Sequence, residues 1–142
     1  MAVTSTVANK IKYLLATKAM DFANDTFKCC LMAVGFSFDK DAHHYYSDIS
    51  ASETADGNGY TTGGVSMSGV SVTEDDTNDY TTVAWDNPAW MASGGSIEGI
   101  GAIVYDDTVA NKPIVGYIDF GTTETAVDTK TYTVSTVVFR VA

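Results

Sequence analysis

The chain has 142 residues, 45% of them hydrophobic, with two prolines, two cysteines and a formal net charge of −10. That length suits one ordinary domain with a packed core, and the composition excludes a low-complexity or disordered chain. The acidic balance excludes the sequence-independent grip on nucleic acid that depends on many lysines and arginines.

In chain order, Val7, Ile11, Leu14 and Leu15 recur at helical spacing, with Thr4 or Ser5 available as N-cap, so a short amphipathic helix is expected over about residues 6–17. This opening segment lacks the basic start, unbroken apolar run and cleavage site of a signal peptide, and no 18-residue apolar span follows, so synthesis and assembly in a cytoplasm are expected, away from membranes. Charge changes along the chain. Residues 1–40 hold five lysines against three aspartates, whereas the remainder holds three cations against fifteen acids. A basic end can face an acidic partner while the acidic body faces solvent.

"DTFKCCLMAVGF" reads as a buried strand. Its adjacent Cys29 and Cys30 point to opposite faces, which disfavours a bridge between them and makes them small buried hydrophobes. "DKDAHHYYSDIS" reads as a polar turn with one helical turn capped by Asp39 or Asp41. The glycines of "GNGYTTGG" are turn-formers, since no lysine and helix follow to make a phosphate cradle. "VSMSGVSV" alternates over Val65–Val72 without a strongly apolar face, as an edge strand does. "TEDDTND" is a turn, "YTTVAW" a short strand, and Ala89–Met91 an extended piece within an irregular connection.

Gly101–Gly121, "GAIVYDDTVANKPIVGYIDFG", reads as two strands and a turn, an antiparallel hairpin with Pro113 at a strand's start. The run "KTYTVSTVVFRV" alternates throughout and is expected to close the domain as a last strand. Seven or so short strands and one helix predict an all-β, mainly antiparallel fold, a β-sandwich or jelly-roll-like domain, divided into an N-terminal helix or arm (1–20) and a single β-sandwich domain (21–142).

Reactive groups are present without a reactive pattern. Glu74, Asp75, Asp76 and Asp79 lack the alternate spacing, central glycine and closing glutamate of a calcium loop, so a solvated hairpin turn is expected and no metal. Asp106 and Asp107 suit side-chain bonds to nearby turn amides. Ser47, His44 and Asp48 are sequence neighbours with no "GxSxG" elbow, an arrangement that rarely gives triad geometry. No cofactor and no enzymatic activity are expected. Trp85, Trp90, Tyr80 and Tyr60 lie near loops, where exposed aromatics can bind sugars or another chain.

The ordered pieces "NDTFKCCLMA", "FDKDAHHYYSDIS", "GNGYTTGGVSM" and the Gly101–Gly121 hairpin together resemble a family of small virion structural proteins of tailed bacteriophages. The resemblance covers roughly residues 21–121. The hairpin is its specific part, and the tail, "YTVSTVVF", departs from the family pattern. The resemblance implies a capsid cement or decoration protein on the outside of the head, without catalysis, bound to the major capsid protein and to itself as a homotrimer. Its alternatives are a tail, fibre or head–tail connector component, or a carbohydrate-binding adhesin. Under the cement reading, Lys10, Ile11, Lys12, Leu14, Leu15 and Lys18 of the N-terminal segment are the expected capsid contacts.

Overall fold

The computed structural model describes residues 4–142. Its strands are β1 (Thr4–Val7), β2 (Phe27–Met32), β3 (Val65–Ser66), β4 (Ser71–Asp75), β5 (Tyr80–Ala84), β6 (Ala89–Met91), β7 (Ile97–Asp106), β8 (Ile114–Ala126), β9 (Thr131–Thr133) and β10 (Val138–Val141). Two short α-helices, α1 (Lys10–Ala16) and α2 (Tyr46–Ile49), and a 3-10 turn at Ser50–Ser52 complete the set, and no helix among the described residues is long and apolar enough to cross a membrane. The fold is therefore mostly β, and all the strand pairings are antiparallel.

A five-stranded sheet runs β1-β8-β7-β2-β3, beside a three-stranded sheet β10-β5-β4 and a two-stranded sheet β6-β9. Within the large sheet Cys30 pairs with Ile103, and Ile103 with Tyr117, so these three share one face; Cys29, Val104 and Gly116 share the other. The second face meets the three-stranded sheet. Phe27 lies 5.2 Å from Trp85, Trp85 lies 6.4 Å from Phe139, and the Phe139 ring rests over Gly116. The first face is covered by the segment between β2 and α2, where Phe36 and Phe38 pack on Tyr117, and by α2, whose Tyr46 packs on Tyr105. Cover on both faces explains why Ala102–Tyr105 and Ile114–Ile118 are buried without alternation. Both cysteines are free and buried, and burial raises their thiol pKa values.

Several expected elements differ in extent. The helix starts at Lys10, because residues 4–7 extend to pair with Gly116–Asp119 of β8, which leaves Thr4 and Ser5 in a strand instead of at a cap. The single strand expected over Val65–Val72 is two strands in different sheets. Gly69 turns between them at φ +66°, and Ser68 accepts a hydrogen bond from the Asp86 amide. The closing strand is likewise divided into β9 and β10, with Thr136 at φ +62° between them. The helical turn begins at Tyr46, after Asp48 has accepted the His44 and Tyr45 amides; Asp39 instead closes a tight turn by accepting the Asp41 and Ala42 amides.

Candidate interaction surface

Helix α1 buries Ile11 and Leu14 and half-buries Leu15, so these residues attach the helix to the core. Lys12 and Lys18 are exposed, and Lys10 lies 4.8 Å over the ring of Tyr13, which is 61% exposed. Of the six expected contact residues, the lysines are thus on the surface and two of the three aliphatics are committed to packing.

Lys12 does not stand alone. It lines a groove of about 640 Å³ with Lys40, Arg140 and hydroxyl-bearing residues of β1 and the β9–β10 connection. β1 is an outer strand of the large sheet and β10 an outer strand of the three-stranded sheet, so the groove forms where two strand edges come together. Lys40 has an ion pair with Asp41 at 3.5 Å, and Arg140 lies 5.3 Å over the Tyr80 ring. Among the described residues, neither Lys12 nor Arg140 has a carboxylate within salt-bridge distance. Sequence reading picked out Lys12 but missed Lys40 and Arg140, since only the fold brings the β2–α2 segment and the last strand beside α1.

The other candidate groups mainly serve the backbone. Asp48 accepts the two amides before α2, while the His44 ring reaches the Asp41 carbonyl at 2.8 Å and the His43 ring accepts from the Asp39 amide at 3.0 Å, so Ser47, His44 and Asp48 do not form a relay. Asp75 accepts the Thr77 and Asn78 amides and the Asn78 side chain; the last bond, first among the causes, lowers its pKa. Trp85 and Trp90 are each only 7% exposed, packed against Phe27 and Tyr60, and neither presents its ring to solvent.

Two polar clusters escaped sequence reading. Glu53 accepts hydrogen bonds from the hydroxyls of Tyr46 and Tyr60 and from the Gly63 amide, and the Tyr60 hydroxyl accepts the Leu31 amide at 2.9 Å. With Thr54 donating to the Leu31 carbonyl, this network ties the 53–64 loop along β2 beyond the end of β3. A lone glutamate in "SASETADG" carries no pattern that announces this role. The second cluster surrounds Asp106, which is wholly buried: one carboxyl oxygen accepts the Thr108 and Val109 amides, and the other has no hydrogen-bond partner. Burial first, then the adjoining Asp25 carboxyl, pushes its pKa up to about 7.

Of the surfaces described, the basic groove is the one suited to recognition: cations and hydroxyls along open strand edges can receive carboxylates from another chain. No family model matches the chain, and no curated protein or solved structure matches it.

Proposed function

We propose that this chain is a structural protein of a tailed-bacteriophage virion, a capsid cement protein that is made in the host cytoplasm, binds the outside of the head as a homotrimer and stabilises the shell without catalysis. The observation that carries the reading is the ordered resemblance over residues 21–121, centred on the Gly101–Gly121 hairpin. The finer architecture that suits this role is a β-sandwich of the five-stranded and three-stranded sheets, with Phe27, Trp85 and Phe139 between them.

A cement protein acts by mass action: it binds the assembled lattice better than free capsid subunits, so occupancy shifts assembly free energy without turnover. The exposed side of α1 and the turn after it, with Lys10, Leu15 and Lys18, is the proposed capsid contact, while Ile11 and Leu14 hold the helix in place and Lys12 turns to the groove beside β1. The test is quantitative mass spectrometry of purified virions together with a map of the particle. Hundreds of copies and density on the outer head surface are expected. Tens of copies at the tail or connector, or none in the particle, would overturn the reading.

A further inference from the structure

Three of the chain's eight cations face the groove between β1 and β10, while its densest run of acids forms the turn between β4 and β5. We propose that the acidic β4–β5 turn of one copy docks into the basic β1/β10 groove of the next copy, a head-to-tail contact between identical chains. This deepens the self-association in the reading above and rests on it.

The turn is built to be presented. Asp75 binds the turn's own amides at 3.0–3.1 Å, and Asp79 has φ +59°, so the loop is organised from within. Glu74, Asp76 and Asp79 remain exposed around it. On the receiving side, Lys12 and Arg140 are exposed without carboxylate partners among the described residues, Lys40 is shared with Asp41, and Thr4, Thr6 and Thr136 supply hydroxyl donors. Carboxylates entering the groove gain charge-assisted hydrogen bonds, and the same matching repels a copy that presents the wrong surface.

Charge also selects the occupant. The three cations of the groove are too few to follow a phosphate backbone. A short acidic loop fits the limited basic surface, and every copy of the chain supplies one. Because the turn and groove are different surfaces, the contact is heterologous: it closes into a ring or continues as a filament, according to the rotation between copies.

The test uses charge exchange in the full chain, followed by sedimentation velocity and native mass spectrometry. One variant carries Lys12→Glu and Arg140→Glu; the other carries Glu74→Lys and Asp76→Lys. All four positions are exposed, and circular dichroism and thermal melting verify that each variant keeps the native fold. Each variant alone is expected to associate at least about tenfold more weakly than the native chain, and a chain that carries all four substitutions to recover assembly by pairing reversed turn with reversed groove at every contact. Native-like assembly by either two-substitution variant, or a four-substitution chain that remains dissociated, overturns the docking surface while leaving self-association intact. A native chain that stays monomeric up to about 100 µM overturns both the docking surface and the self-association on which it rests.

Discussion

Asp106 links one carboxyl group to the pH dependence of the whole fold. Its ordinary pKa is 3.8, and in the folded chain burial, with the Asp25 carboxyl beside it, pushes it up to about 7. The folded state therefore holds a proton that the unfolded chain releases, so this group's effect on stability is absent at low pH and becomes unfavourable as pH rises from about 4 through 7. Asp106→Asn keeps an oxygen for the Thr108 and Val109 amides and replaces the unpartnered oxygen with a donor toward Asp25. The expected result is a flatter stability curve and a variant more stable than the native chain at pH 8–9, checked by urea unfolding across pH; an unchanged slope between pH 4 and 7 would contradict this account. Glu53 provides a contrasting case. Glu53→Ala leaves the Tyr46 and Tyr60 hydroxyls and the Gly63 amide without their acceptor and is expected to cost about 1–3 kcal/mol. Glu53→Gln retains an acceptor for Tyr60 and Gly63 and should cost less, a ranking that denaturant midpoints resolve.

Among the elements, the junction of β1, β8 and β10 depends on a missing side chain. A Cβ on Gly116 would lie 2.4 Å from the Thr6 carbonyl oxygen and 2.6 Å from the Phe139 ring. Gly116→Ala must therefore push β1 or β10 away from β8, with an expected loss of about 1–3 kcal/mol measured by urea unfolding, and it should also alter the groove those strands enclose. The Gly101–Gly121 hairpin was legible because its apolar runs and turn residues reinforce each other locally. Its burial on both faces was less so: period two at Ile114–Phe120 suggests one core side, whereas Val115 and Tyr117 are buried too, Tyr117 beneath Phe36 and Phe38 from a segment remote in sequence. The runs Val65–Val72 and Thr131–Val141 each alternate as one strand would, yet each changes sheets at a residue with positive φ. Threonine at position 136 gives little warning of that conformation, which its surroundings must impose. The lysines of α1 were readable as a surface feature, but the association of Lys12 with Lys40 and Arg140 follows only from the packing of distant strands.

For the whole molecule, charge opposes two processes differently. Eighteen acids face eight cations, and only two ion pairs form among the described residues, Lys40–Asp41 and Lys112–Asp107. The folded chain concentrates net negative charge in a smaller volume than the unfolded chain, so self-repulsion lowers its stability. Salt screens this repulsion over distances beyond about 8–10 Å near physiological strength, and moderate sodium chloride is expected to raise the melting temperature by several degrees. The proposed contact between acidic turn and basic groove has the opposite dependence, because the same ions weaken attraction between its exposed charges. Thermal melting of dilute protein and sedimentation at higher concentration should consequently move in opposite directions over one salt series: firmer folding and looser association. The two-substitution variants separate these effects, since both should retain salt stabilisation of the fold while losing the salt-sensitive association of the native chain. A melting temperature that falls with salt would place the dominant electrostatic term in local attractions within the fold instead of its overall repulsion.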